Sequence, residues 1–310
     1  MAEYLVTGGA GFIGGHLAEQ LVREGKSVRV LDNFSSGHDS NLQPWGDRAE
    51  IIRGDICDRA TVVRAMSGIR VVFHLAALPS VPKSVADPLN SHDINVNGTL
   101  NVLIAARDAR VQRVVFSSSS AVYGDSPELP KREDMTPAPI SPYGLHKLVG
   151  EQYGALFTRT YGLQTVCLRY FNVYGPRQDP QSEYAAAIPR FITSLLAGRP
   201  PTVFGDGEQT RDFTCVANVV DANLAAAAAG PEAVGQVFNV AGGRRISVNE
   251  LIATINGILG SAIAPVYAPP RAGDVLHSLA DITKAKRVLG MGARVELAEG
   301  LRRTVEWFRK

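Results

Sequence analysis

The 310-residue sequence has only three cysteines, no long apolar run and no block of like charge. Cys57, Cys167 and Cys215 are odd in number, scattered and in no metal-ligand spacing. That pattern speaks against a disulfide framework and fits a reducing compartment; each is expected to be a buried apolar side chain, and no metal site is expected. No stretch reaches the roughly eighteen apolar residues of a membrane span. The alanine-rich VVDANLAAAAAG (219–230) is too short and is interrupted by Asp221 and Asn223, so it reads as a packed helix. The opening EYLVTGG has no basic region, apolar core or cleavage site, so no signal peptide is expected and the expected location is cytoplasmic. Formal charge is 32 − 30 = +2 without a dense Arg/Lys block, which points away from a nucleic-acid surface and toward a small anion as ligand. No internal repeat or low-complexity tract is present.

What is there is ordinary in bulk: 45% hydrophobic and 20% charged residues, with a mean hydropathy of zero, as in soluble globular proteins. The length suits one large or two modest domains. Apolar runs of strand length, YLVTG, SVRVLD, EIIRG, VVFHLAA, RVVFSSS and TVCLRYF, alternate with amphipathic stretches. Alternation of this kind predicts parallel strands joined by crossover helices, an α/β doubly wound sheet. After residue 172 prolines break the chain into short pieces, which predicts a smaller C-terminal α/β lobe. QTRDFTCVANVVDANLAAAAAG and QVFNVAGG read as one more helix and strand returning to the first sheet. The expected division is therefore discontinuous: 1–172 plus about 213–243 in the first lobe, about 173–212 plus 244–310 in the second. Ser247 and Glu250 form a capping box that starts a helix at LIATINGIL.

Gly9, Gly11 and Gly14 fit G-x-G-x-x-G directly after a predicted strand and before the helix FIGGHLAEQLVREG, and Gly8 adds a G-x-x-G-x-x-G register. Glycine permits the tight turn and lets backbone amides approach a pyrophosphate, which the helix N-terminus stabilises. Asp32 ends the next strand, where a carboxylate can accept hydrogen bonds from ribose hydroxyls. The pattern is that of a Rossmann dinucleotide site. Residues 33–37 offer no lysine or arginine for a 2′-phosphate, and Asp32 would repel one, so NAD is expected rather than NADP.

Ser117, Ser118, Ser119 and Ser120 follow the apolar part of a predicted strand, at the carboxyl edge where open α/β sheets bind ligands. Tyr143 and Lys147 stand four apart in SPYGLHKLVGEQYGALF, on one face of a predicted helix. An unperturbed phenol has a pKa of about 10; the lysine ammonium beside it, with an oxidised nicotinamide ring as a second cation, is expected to bring it into use as a base near neutral pH. Turn, serine run and Tyr-x-x-x-Lys together suggest redox chemistry at an alcohol carbon. His74, inside an apolar run, is expected to be a packed strand residue, and His146, off the Tyr143/Lys147 face, to face solvent.

These residues resemble the extended short-chain dehydrogenase/reductase family, and within it the UDP-hexose 4-epimerases. TGGAGFIG, LDNFSSG, GDICD, HLAA, NVNGTLNVL, FSSSSAVYG, SPYGLHK, LRYFNVYGPRQDP, GDGEQTRDF and RAGDVLHSLAD stand in that family's order along essentially the whole chain. The resemblance implies that Ser119, Tyr143 and Lys147 are catalytic. It assigns NAD contacts to Gly8, Gly11, Phe12, Ile13, Gly14, Asp32, Asn33, Asp55, Ile56, Leu75, Ala76, Ala77, Asn95, Ser117 and Tyr170, as well as to Tyr143 and Lys147. It implies oxidation of a UDP-sugar at C4 to a transient 4-keto sugar that is reduced on its other face. It also implies a homodimer built through the helices around SPYGLHKLVGEQYGALF.

Carried over by position, Asn172, Arg211 and Arg271 are matched to the diphosphate and sugar, and Asp274 to the uridine ribose. Ser278 falls where the family faces the sugar C2 substituent; a tyrosine there accompanies strict UDP-glucose/UDP-galactose enzymes, and serine leaves room for an N-acetyl group. Gln178 and Ala186 likewise resemble the subgroup using N-acetylated sugars. Pro79, after HLAAL, is a departure that bears on the pocket wall. Nucleotide-sugar dehydratases and UDP-glucuronate decarboxylases resemble this chain but carry an acid where it has Ser120 and Ala121. UDP-glucuronate 4-epimerases lack the asparagine at the position of Asn172. A non-catalytic dinucleotide-binding regulator shares the fold, yet usually lacks the Tyr-Lys pair.

Overall fold

The computed structural model describes residues 2–180, 187–270 and 276–310. The first half alternates as its apolar pattern demands: β1 (Tyr4–Thr7), α1 (Phe12–Arg23), β2 (Val28–Asp32), β3 (Glu50–Arg53), α2 (Arg59–Ala65), β4 (Val71–His74), α3 (Val81–Ala86), α4 (Pro88–His92), α5 (Thr99–Asp108), β5 (Arg113–Ser119), α6 (Pro142–Tyr161) and β6 (Gln164–Tyr170). Later come β7 (Val173–Tyr174), α7 (Ala187–Leu196), β8 (Thr202–Phe204), β9 (Thr210–Arg211), β10 (Thr214–Cys215), α8 (Val216–Ala228), β11 (Gln236–Val240), β12 (Ile246–Ser247), α9 (Val248–Leu259), β13 (Val266–Ala268), α10 (Thr283–Leu289) and α11 (Leu297–Phe308).

Seven strands form one parallel sheet in the order β11-β6-β5-β4-β1-β2-β3. Successive side chains point to opposite faces, so Val6 joins a core with α1 and α8 while Leu5 joins another with α2, α5 and α6. Both faces being covered explains why the strands read as continuous apolar runs. The strand order reverses between β1 and β4, which opens the crevice at their carboxyl ends. The register sets Thr7 beside His74, His74 beside Phe116 and Ser119 beside Tyr170, so their following loops line one edge.

The expected return of the chain to this sheet is realised by α8, packed on α1, and by β11, paired along β6 from Gln236 to Val240. A separate apolar cluster unites α7, α9 and α11 through Phe191, Ile192, Leu251, Ile255 and Leu301. Helix α9 starts at the expected box: Ser247 Oγ accepts from the Glu250 amide at 3.1 Å, and Glu250 Oε2 accepts from the Ser247 amide at 2.8 Å. Helix α6 starts at Ser141, whose hydroxyl accepts from the Gly144 amide at 3.1 Å, with Pro142 in the first turn. It lies close against β5 because Gly150 has no side chain; a Cβ there would stand 2.3 Å from the Phe116 ring.

Two expectations are corrected. Cys57 is exposed, since it sits in the turn between β3 and α2 where its amide donates to Asp55 Oδ1 at 2.8 Å. Cys167 and Cys215 are buried as expected. His146 is buried rather than solvent-facing: α3 and α4 pack on α6, its Nδ1 lies 3.2 Å from Ser91 Oγ, and its ring meets His92 edge-on at 5.4 Å. Among the described residues no helix is long and apolar enough to cross a membrane, and no cluster of metal-binding side chains occurs.

Candidate active site

The glycine turn joins β1 to α1. Gly8 is left-handed (φ 73°), and its Cβ would stand 2.7 Å from the Ala76 amide; a Cβ on Gly14 would stand 2.1 Å from the Gly8 carbonyl oxygen. Gly11 caps α1 without a side chain, and the first turn has no acidic residue. Amides of this turn, Phe12 and Ile13 included, therefore remain available to an anion, and the cradle fits the pyrophosphate of a dinucleotide.

Asp32, buried at the end of β2, accepts from the Ala10 amide at 2.9 Å and the Phe34 amide at 2.7 Å. Each oxygen keeps a second acceptor site for a ribose hydroxyl. Asn33 Nδ2 donates to Asp55 Oδ2 at 2.8 Å. Burial pushes the Asp55 carboxyl up, but hydrogen bonds from Cys57 and Asn33 outweigh it and hold the group below its ordinary value. Ile56 is buried beside Gly98, under the turn that carries Asp55.

Behind the loop of Leu75, Ala76 and Ala77 runs a chain of hydrogen bonds that fixes its own polarity. Thr99 Oγ1 donates to the Asn95 carbonyl at 2.7 Å, so it accepts from His74 Nε2 at 3.0 Å; His74 Nδ1 then accepts from Thr7 Oγ1 at 2.8 Å, and Thr7 accepts from the Ala76 amide at 3.2 Å. His74 is neutral here. Burial, then the Lys147 charge, pull it down to about 3. It is a packed strand residue, as expected. Asn95, in a π-helical turn over Asp93–Gly98, accepts from the Leu78 amide at 2.7 Å and donates to the Leu78 carbonyl at 3.2 Å. Its side chain thus positions the loop that leads to Pro79.

Lys147 and Tyr143 converge with the serine run at the end of β5. The Lys147 ammonium donates to the Ser117 carbonyl at 2.6 Å and lies 5.8 Å from the Tyr143 ring centre. Burial drives the lysine down to about 8, against the opposing charge of Glu151. The Tyr143 phenol departs from expectation: burial raises it above its ordinary value, and the hydrogen bond from Ser119 only opposes this. The lysine bonds the strand carbonyl of Ser117, so desolvation outweighs the Ser119 hydrogen bond at the phenol. Ser119 Oγ also accepts from the Ala121 amide at 3.1 Å, and the Tyr143 amide donates to Ser84 Oγ at 3.1 Å. Tyr170 donates to Asn223 Oδ1 at 3.0 Å, and its phenol is raised by burial.

Asn172, in a left-handed conformation (φ 33°), donates through Nδ2 to the Asp212 carbonyl at 3.0 Å and to Ser278 Oγ at 3.1 Å. Arg211 Nη1 donates to the carbonyls of Thr210 at 3.0 Å and Leu276 at 2.9 Å. Gln178 donates to the Val173 carbonyl at 3.0 Å while its buried Oε1 has no partner among the described residues, an acceptor suited to a ligand hydroxyl or amide. Its loop is tied to α1 by Arg177, which bonds His16 Nδ1 at 2.6 Å and Glu19 at 2.7 Å. Ala186, Arg271 and Asp274 lie outside the described residues.

Sequence reading missed Glu151, Arg169 and Asp212. Glu151 stands four residues past Lys147, and Arg169 is a charge inside an apolar strand, a signal that a buried partner exists. Asp212 accepts from the amides of Gly242 (2.9 Å), Gly243 (3.2 Å) and Ala280 (3.1 Å), joining three chain segments under Asn172 and Ser278; burial raises it to about 6.

A glycine-rich cradle that fits a dinucleotide agrees with the family that the chain matches. Residues 4–241 fit the family described as "NAD dependent epimerase/dehydratase family". The chain belongs to that family. NAD is its cofactor and isomerisation its reaction class. A UDP-glucose 4-epimerase from Mycolicibacterium smegmatis is 44% identical over 309 residues, 98% of either chain. Among solved structures, a UDP-N-acetylglucosamine 4-epimerase from Methanobrevibacter ruminantium, in complex with UDP-N-acetylmuramic acid, is 42% identical with a TM-score of 0.94, covering 100% of this chain and 99% of that one. A UDP-glucose 4-epimerase from Thermotoga maritima with UDP-glucose is 43% identical with a TM-score of 0.94, covering 99% and 98%. This family membership bears out the resemblance seen in the sequence, and the seven-stranded sheet bears out the fold.

Proposed function

We propose that the protein is an NAD-dependent 4-epimerase of UDP-hexoses that accepts UDP-glucose and UDP-galactose and, through Ser278, UDP-N-acetylglucosamine and UDP-N-acetylgalactosamine. The observation that carries the reading is the convergence of Ser119, Tyr143 and Lys147 on the carboxyl edge of β5, beside the glycine turn. Gly8, Gly11 and Gly14 hold the pyrophosphate, Asp32 and Asn33 the adenosine ribose, and Lys147 the second ribose. Bound NAD would supply the acceptor and donor for the C4 hydride and a positive charge at the site.

Tyr143 takes the O4 proton and later returns it, while Ser119 holds O4. The resulting 4-keto sugar turns over between the two half-reactions. A phenol raised by burial is a poor base at neutral pH, so Tyr143 gains its basicity from positive charge added at the site. Asn172, Gln178 and Arg211, with Ala186, Arg271 and Asp274, bind the nucleotide and sugar. Ser278 Oγ already accepts from Asn172 and, at 3.3 Å, from the Asp212 amide, which leaves its hydrogen free to donate to an acyl oxygen.

The two lobes proposed are 1–172 plus about 213–243 for NAD and about 173–212 plus 244–310 for the nucleotide sugar. A homodimer through α6 is part of the proposal; Val85, Leu89, Leu145 and Leu156 are exposed apolar side chains on α3, α4 and α6, which pack together. A cytoplasmic location without nucleic-acid or membrane partners is also part of the proposal, supported by the small net charge, the scattered cysteines and the lack of a long apolar run. The test is a panel of UDP-glucose, UDP-galactose and their N-acetyl and uronate counterparts. Interconversion of both plain and N-acetylated pairs is expected; turnover of UDP-galactose without UDP-N-acetylgalactosamine rejects the N-acetyl reading, and turnover of uronates alone rejects the whole.

A further inference from the structure

Glu151 follows Lys147 by one helical turn, so both lie on one face of α6. Both are buried, at 3% and 4% exposure. The lysine's own hydrogen bond goes to a neutral carbonyl, that of Ser117, and the ring of Phe116 lies 5.1 Å from its nitrogen. An ammonium so placed loses hydration without gaining a bonded counter-ion. Glu151 supplies the nearby negative charge, and it is rigidly held. Its Oε1 accepts from Ser118 Oγ at 2.5 Å and Arg169 Nε at 2.8 Å, and its Oε2 accepts from Arg169 Nη2 at 2.7 Å. Ser118 lies between the residue whose carbonyl holds Lys147 and the residue whose hydroxyl meets Tyr143. Arg169 Nη1 is buried with no partner among the described residues; the arginine is held by Glu151 and by stacking 4.6 Å over the Tyr123 ring.

We propose that Glu151 is a positioning residue for the Tyr143–Lys147 pair, its carboxylate, clamped by Arg169 and Ser118, keeping the Lys147 ammonium charged where it lies. This deepens the proposed reading of the site and rests on it. The other groups around the lysine do not replace the carboxylate. From β4, His74 is neutral; from β6, Arg169 and the buried Cys167 and Tyr170 carry no negative charge; on α6 itself Tyr143 is a raised phenol and His146 interacts with His92. Lys83, Asp87 and Asp93 on the packed turns are exposed to water. Burial takes the lysine to about 8 even with Glu151 present, so loss of that charge brings neutralisation into the working range.

The experiment titrates Lys147 in NAD-loaded protein carrying carbon-13-labelled lysine side chains, with its signal assigned by Lys147→Met. Glu151→Gln removes the charge; because it strands Arg169, the double variant Glu151→Gln/Arg169→Gln is measured beside it. The lysine midpoint is expected to fall by about one pH unit in the single variant, and by a smaller step of the same sign in the double. The alkaline limb of kcat should move with it while KM stays unchanged. A midpoint unmoved in the folded variants overturns the proposal. The titration needs no turnover, so a protein that shows the shift yet epimerises no sugar sinks the functional reading and leaves this inference standing.

Discussion

The carbonyl oxygen of Ser117 accepts a 2.6 Å hydrogen bond from the Lys147 ammonium, fixing a cation of helix α6 to the end of strand β5. The bond ties the charge to the strand that carries Ser119, so the two halves of the candidate catalytic group move as one unit. Lys147→Met is therefore expected to fold, to bind NAD more weakly and to lose activity by at least the factor that removal of Tyr143 costs. Calorimetric NAD binding beside steady-state kinetics checks both.

Tyr143→Phe removes the phenol oxygen alone. A general base typically contributes 10²–10⁴-fold, so kcat should fall by about that factor, with NAD content and KM little changed. Activity within a few-fold of the parent would take the role from Tyr143.

Ser278→Tyr fills the space next to Asn172 and breaks the bond from its Nδ2. The N-acetylated pair should be lost while UDP-glucose and UDP-galactose continue to interconvert, in a competition assay with both substrates. Equal loss of both pairs would mean that the residue supports the pocket rather than selects the sugar.

Buried His74 and half-buried His16 set the acid side of stability. His74 is held down to about 3 by burial and the Lys147 charge, and His16 to about 4 by burial and Arg177. Both are neutral in the fold, while in the unfolded chain each takes up a proton below its ordinary value of 6.5. The stabilisation is thus complete above that value and is lost as pH falls toward the folded values, at roughly 1.4 kcal/mol per pH unit for each histidine. Chemical denaturation between neutral and mildly acidic pH should show this slope, shallower in His74→Asn.

A Cβ at Gly14 meets the Gly8 carbonyl oxygen at 2.1 Å, a contact that backbone cannot yield cheaply. Gly14→Ala should lower stability by about 1–3 kcal/mol and abolish NAD retention, read from thermal melts and bound-nucleotide absorbance.

Much of this was legible in the residues because each signal was local. Strands buried on both faces spell continuous apolar runs, the turn spells its glycines, and Tyr143 and Lys147 share a face by spacing alone. The misreadings came from packing. His146 lies off the Tyr143/Lys147 face, but α3 and α4 cover that side of the helix, so it is buried. The lysine was expected to lower the phenol directly, yet it bonds Ser117, a partner only the crossing of α6 over β5 reveals. Asp212 gathers amides from Gly242, Gly243 and Ala280, residues tens of positions away with no pattern in common.

The central claim is that the C4 hydrogen leaves the sugar and returns to the same carbon while Tyr143 handles the O4 proton. It is tested most directly by incubating the protein, without added cofactor, with UDP-galactose deuterated at C4 and analysing the product by NMR and mass spectrometry. The account predicts the C4 epimer with deuterium retained at C4. Absence of the epimer, or an epimer carrying solvent hydrogen at that carbon, would contradict it.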